Sequence, residues 1–194
     1  MGIAKTLTTK HTNVKTVLGV DCSTQSFAFC LFGSDGPIRW GEIHFKGASV
    51  FERLAYGQRA VAAFKEFLEA DLVVFEGAIY VQNKKTVILL AYAFGAVISA
   101  LINDGAKVEE ISPMEWQNAI GNKVLTKAEK QTIVDANPGK SKSWYQNKNR
   151  EFRKQRTIAW VKDKFGIETD SDNVGDAVAL ASVAFGKYAL TDAT

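Results

Sequence analysis

Cysteine, histidine and proline are all scarce in this 194-residue chain, which has two, two and three of them. The two cysteines, Cys22 and Cys30, flank one apolar run and form neither a disulfide framework nor a CxxC metal pattern, so a reducing, cytosolic compartment is the default. His11 and His44 have no ligand spacing and read as surface or structural residues. Low-complexity tracts, internal repeats and an obvious linker are all missing. No apolar run is long enough for a comfortable membrane span. The longest, 87–102, is broken by Tyr92, Gly95 and Ser99 and reads as a buried core helix. The first 15 residues are polar and basic, without the apolar centre of a secretory signal. They are expected to be a flexible basic N-terminus, followed by a single domain over 16–190.

What the chain does have is ordinary globular composition, 46% hydrophobic and 23% charged. Its net charge of +3 hides an asymmetry. Residues 122–164 hold 12 Lys and Arg against 4 Asp and Glu, and the remainder holds 12 against 17. The basic segment also contains Trp144, Tyr145, Phe152 and Trp160. Cations meet phosphates and rings stack on bases, so this mixture suits a nucleic-acid surface. A solvated helix face is the commoner fate of a charge run. The carboxylates described next favour the nucleic-acid reading.

Val17-Leu18-Gly19-Val20-Asp21 reads as a buried strand ending in an acid, and Leu72-Val73-Val74-Phe75-Glu76 as a second. Asp172-Asn173-Val174-Gly175-Asp176 opens an alanine-rich helix. Acids at strand ends lie on a sheet rim, where they meet across long sequence separations. Grouped carboxylates repel unless they share a cation, and hard oxygen donors suit Mg²⁺, with Mn²⁺ able to substitute. Such a site supports metal-assisted phosphoryl transfer or phosphodiester hydrolysis. Each acid also has a plain structural alternative. Asp172 and Asp176 could cap their helix, Asp21 could satisfy turn amides, and Glu76 could pair with Lys84 or Lys85.

The rest of the chain alternates strands and helices. Residues 38–45 alternate as a half-buried antiparallel strand would. Helices are expected over 51–69 and 87–102, and a strand over 107–111. Ser112-Pro113 starts another helix, and Thr126-x-x-Glu129 is a capping box. Asn137-Pro138-Gly139-Lys140-Ser141 is a loop, and 140–148 is the most mobile candidate. Basic residues 149–165 and the stretch 172–188 form the last helices. Hairpin strands followed by βαβ units imply an α/β fold, a mixed sheet with helices on both faces.

With those segments in place, the chain resembles the RuvC-like Holliday junction resolvases of the RNase H-like superfamily. The matching stretches are Leu18 to Thr24, Val73 to Tyr80 and Asp172 to Ala181. The resemblance implies an RNase H-like mixed five-stranded sheet and an endonuclease that resolves four-way or branched DNA junctions by two-metal hydrolysis. In that family four acids bind two divalent metals, which carries over to Asp21, Glu76 and Asp176. The fourth acid sits three residues before the last, and that position here is Asn173. Either Asp172 takes over, since i and i+4 share a helix face as i and i+3 do, or Asn173 marks an inactivated nuclease. The resemblance also implies a homodimer, with the small residues of 87–102 supplying part of a two-fold interface. It implies an aromatic residue near the junction centre, which Tyr80 matches, and a cytoplasmic setting in a bacterial cell or a phage that infects one. Gln82, Asn83, Lys84 and Lys85 follow as phosphate contacts, joined by Lys148, Arg150, Arg153, Lys154 and Arg156 on the basic helix. Two alternatives stand beside this reading. One is a non-catalytic junction-binding protein. The other is a small-molecule kinase of the actin-like superfamily, whose phosphate loop Asp21 to Ser26 also resembles.

Overall fold

The structure, a computed structural model, describes residues 14–77, 84–101 and 107–189. Tyr80, Gln82 and Asn83 lie outside the described residues, as do residues 1–13.

Five strands form one sheet in the order β3-β2-β1-β4-β5. They are β1 (Val17–Cys22), β2 (Ser26–Gly33), β3 (Gly36–His44), β4 (Leu72–Glu76) and β5 (Lys107–Ile111). β1, β2 and β3 form an antiparallel meander, while β4 and β5 run parallel to β1. The mixed sheet expected from the sequence is therefore present. Its turn chemistry is local. The Ser23 hydroxyl accepts from the amides of Gln25 and Ser26 and closes the β1–β2 turn.

The six described helices are α1 (Val50–Phe64), α2 (Lys84–Leu101), α3 (Pro113–Ala119), α4 (Lys127–Ala136), α5 (Lys142–Phe165) and α6 (Asp172–Tyr188). Side-chain caps start five of them. Ser49 and Thr126 complete capping boxes with Glu52 and Glu129, and Ser112, Ser141 and Ser171 accept from the third helical amide. Each such cap contributes about 1 kcal/mol. α1 ends five residues earlier than expected, giving way to a 3₁₀ turn at Lys65–Phe67.

Two expectations need correction. Residues 142–148 are the opening turns of α5, a helix expected to begin only at residue 149. The Ser141 cap starts the helix early, and the Tyr145 hydroxyl donates to the Asn137 carbonyl at 2.5 Å and ties it to the preceding loop. Nor is α2 a wholly buried helix. Ala93, Val97, Ala100 and Leu101 are buried, but Val87, Ile88 and Tyr92 are exposed. Among the described residues no helix is long and apolar enough to cross a membrane.

The sheet separates two cores. On one face Val17, Ala28, Cys30, Leu72 and Val74 pack with Trp116, Val161 and the small residues of α6. On the other, Leu18, Val20, Phe27, Phe29, Val73 and Phe75 pack with α1 and α2. The period-2 alternation of a strand decides which residue serves which core. Gly19 sets the depth of the first core. A Cβ there would lie 2.7 Å from the Ala177 carbonyl oxygen and 2.7 Å from the Ala181 Cβ. Glycine on β1 facing alanine on α6 thus lets the helix backbone approach the sheet closely.

Candidate active site at the sheet rim

Asp21 follows Val17 and Gly19 at period 2, and Glu76 follows Leu72 and Val74, so both acids continue the face that α6 covers. β1 and β4 are parallel, and Val20 pairs with Phe75, which puts Asp21 and Glu76 next in line at the same sheet end. α6 crosses above them. The close Gly19–Ala177 approach brings Asp176, one residue earlier on the helix, down to the same rim.

The electrostatics show that these three acids form one group. Asp176 is pushed up to about 8, first by burial and then by the charges of Asp21 and Glu76, against Lys154 and a hydrogen bond from Thr157. Asp21 is pushed up to about 7 by burial, with Glu76 and Glu42 adding to the rise and Lys154 opposing it. Burial also raises Glu76, opposed by its hydrogen bond from Trp116. That bond, Nε1 to Oε1 at 2.9 Å, comes from a fully buried indole and fixes the Glu76 carboxylate. Ser171 caps α6, with Asp172 in its first turn, Ser23 holds the β1–β2 turn, and Trp116 bonds to Glu76.

A cleft of about 310 Å³ opens beside the acids. Its lining includes Glu76 and Asp176, with Gln117, Arg150, Arg153 and Lys154 opposite. α5 is anchored there by Asn122, which donates to the Arg153 carbonyl and the Thr157 hydroxyl at 2.8 and 3.0 Å.

The remaining candidates fall into different settings. Asp172 is ion-paired with Lys154, which holds that ammonium at the cleft. Asn173 donates to Glu42 at 2.7 Å and to the Ser26 hydroxyl at 3.3 Å. Arg153 donates to Gln117 and to the Asn122 carbonyl, and Arg156 is paired with Glu129 on α4 and stacked over Phe152. Both arginines therefore also tie α5 to its neighbours. Lys148 pairs with Glu151 at 2.9 Å. Arg150 lines the cleft and makes no ion pair among the described residues. Lys84 and Lys85 begin α2.

No motif or spacing in the chain pointed to Glu42. It sits on β3, in register with Ala28, which is in register with Asp21. Ser171 donates to its other oxygen at 2.6 Å. Burial works to raise this carboxyl. Bonds from Ser171, Asn173 and Ser26, with the nearby His44, outweigh burial and hold it below the ordinary range. Trp116 and Thr157 were also missed as acid partners, because neither is near an acid in sequence.

The donor chemistry fits a hard divalent cation. Oxygen ligands are present, and the acids pay a mutual charge cost that a cation would relieve. Among the described residues no three His, Cys, Asp or Glu side chains are placed to enclose one ion.

No protein-family profile matches the chain, and no curated protein matches it. Solved structures do. A Thermus thermophilus RuvC in complex with a Holliday junction substrate superposes with a TM-score of 0.64 at 14% identity, covering 93% of this chain and 98% of that one. A second Thermus thermophilus RuvC structure gives 0.60 at 15% identity, covering 89% and 95%. The fold is therefore that of RuvC, as the resemblance in the sequence implied, and it spans nearly the full length of both proteins.

Proposed function

We propose that this chain is a structure-selective endonuclease that resolves four-way or branched DNA junctions by metal-assisted phosphodiester hydrolysis. One observation carries the reading. Asp21, Glu76 and Asp176 arrive from three distant elements at one rim, where Glu76 raises Asp21 and both raise Asp176, and Glu76 and Asp176 line a cleft walled by the basic helix α5. Its agreement with the RuvC fold supports the choice of substrate.

Asp21, Glu76 and Asp176 are the residues that would hold Mg²⁺, with Asp21 central because both other acids flank it. Bound divalent cations supply an acidified water and charge stabilisation for an in-line displacement at phosphorus. The protein's own part is positioning. Trp116 orients Glu76, Thr157 orients Asp176, and Asp172 holds Lys154 where a phosphate would meet it. Arg150 and Lys154 would carry DNA phosphates into the cleft, and Lys84 and Lys85, which begin α2, are proposed as further phosphate contacts. The exposed apolar side of α2 suits a second copy of the chain, which a junction with two scissile strands requires.

The test is cleavage of a four-way junction with Mg²⁺. Asp21→Asn should bring cleavage to background while leaving junction binding nearly unchanged. Normal cutting by that variant would refute the site. The non-catalytic alternative rests on one observation, the amide at Asn173, and predicts junction binding without cleavage in the unmodified protein. The kinase alternative has less support, since Ser23 already occupies the Gln25 and Ser26 amides of the loop that would cradle a phosphate.

A further inference from the structure

We infer that Glu42 is a positioning residue of this site. It holds Asn173 so that the amide oxygen serves as a neutral ligand where a fourth carboxylate would otherwise stand. The inference rests on the nuclease reading above and extends it to a residue outside the three acid segments.

The argument starts from register. Glu42, Ala28 and Asp21 form one row across β3, β2 and β1. Neighbouring strands lie about 4.8 Å apart, so the Glu42 backbone is roughly 10 Å from that of Asp21. From there its side chain reaches the first turn of α6. There it meets Ser171 and Asn173, and its side chain is only 9% exposed.

The chemistry of the contact fixes the amide. An ionised carboxylate only accepts hydrogen bonds, so the Asn173 nitrogen must face it. The same nitrogen also donates to the Ser26 hydroxyl. Both amide hydrogens are thus directed to the β2–β3 side, and the carbonyl oxygen is the end left for a cation. Asn and Gln carbonyl oxygens are ordinary ligands for hard cations. Asn173 and Asp176 lie three apart on α6 and share a helix face. A carboxylate behind a ligand, fixing its orientation, is a recurring arrangement at metal sites. Here the negative charge has moved one layer back, from α6 to β3. Asn173 is then a fitted part of the site, and it need not mark a loss of activity.

A purely structural role for Glu42 would make the same contacts, as a tie between β3 and α6. The two roles differ in what substitution does to cation affinity. The experiment is calorimetric titration of the purified protein with Mn²⁺, alongside thermal melting and junction cleavage, for the unmodified chain, E42Q, N173D and the E42Q/N173D pair. E42Q keeps the side-chain shape but lets the amide turn over. It should weaken Mn²⁺ binding by roughly 10- to 100-fold, the usual effect of losing such a partner. N173D alone places two carboxylates in contact and should also bind Mn²⁺ more weakly than the unmodified chain. The pair should recover most of the lost affinity, because the charge has returned to α6 and an uncharged amide now stands behind it. Equal Mn²⁺ affinity in E42Q and the unmodified chain would overturn the inference, even with a lowered melting temperature. So would tighter binding and faster cleavage in N173D alone. Those outcomes leave the nuclease reading intact. If the unmodified chain neither binds Mn²⁺ nor cuts a junction, the nuclease reading fails and this inference fails with it.

Discussion

α6 and α2 are both apolar helices laid on the same sheet, one on each face, and they are used in opposite ways. α6 buries Val174, Ala177, Val178, Leu180, Ala181 and Ala184 and presses close enough to leave no room for a side chain at residue 19. α2 buries Ala93, Val97, Ala100 and Leu101 but leaves Tyr92 50% exposed, its ring 6.1 Å from that of Phe51, also exposed, on α1. The tight contact delivers Asp176 to the acid rim. The looser one leaves apolar surface outward, where a partner copy is proposed to sit. Close packing here positions chemistry, while incomplete packing leaves a surface for assembly.

The largest break in this contrast should come from Gly19→Val. The new side chain would meet α6 backbone, which cannot yield as a flexible side chain could. Overpacking of this kind costs about 1–3 kcal/mol. A melting temperature lowered by several degrees and loss of junction cleavage are expected together, since Asp176 would be lifted from Asp21. Calorimetry and a cleavage assay on the same sample would check both. A variant that stays fully active would show that the close approach does not position the site.

The two faces should also respond differently to pH. Asp21 and Asp176 titrate near 7 and 8 in the fold, against an ordinary value of 3.8. The folded state therefore holds protons that the unfolded chain has already released. Stability of the cation-free protein should fall as pH rises from about 4 to about 8. Adding Mg²⁺ or Mn²⁺ at pH 8 should restore it, and Asp176→Asn should flatten the profile. Melting curves across pH, with and without the cation, measure this. Among the described residues the acids with raised values all lie on the α6 face or the rim, so the α2 face should contribute little pH slope.

On that second face, Tyr92→Glu should leave the melting temperature within a few degrees, because the side chain is already half in water. It should shift the proposed dimer to monomer in light scattering at micromolar concentration. An unchanged mass would leave α2 without its proposed partner.

The smallest effect is expected from the basic helix. Arg150→Ala should reduce the log–log salt slope of junction binding by about 0.9, the value of one phosphate contact. Arg156→Ala should instead lower stability, because Arg156 joins α5 to Glu129 on α4. Replacing Arg150, Arg153 and Arg156 together should flatten the slope further while preserving preference for junction over duplex. If the triple variant keeps its slope, α5 is a solvated face.

Much of the fold was legible because its signals are local. The apolar runs at Val17 and Leu72, the Ser112-Pro113 start and the Thr126 capping box all fold as expected. Each depends on residues within one turn or one strand. Where the reading failed, the deciding contact was remote or the exposure depended on neighbours. Residues 142–148 are helical partly because Tyr145 reaches back to Asn137, and α2 has an exposed side because, among the described residues, α1 and the sheet cover only its other side.

The sequence by itself determined that acids would stand at the ends of two buried strands and at the start of a helix, since period-2 burial and helix capping are local rules. It also determined that positive charge would gather in one segment. Tertiary structure alone decided how these parts meet. Strand register set Glu42 in line with Asp21, 21 positions away in the chain, and the Gly19–Ala177 contact set the depth of Asp176. Burial then turned three ordinary carboxylates into a coupled group, because charges removed from water feel one another strongly. Register and depth are properties of pairs of distant segments, and no single stretch of sequence contains them.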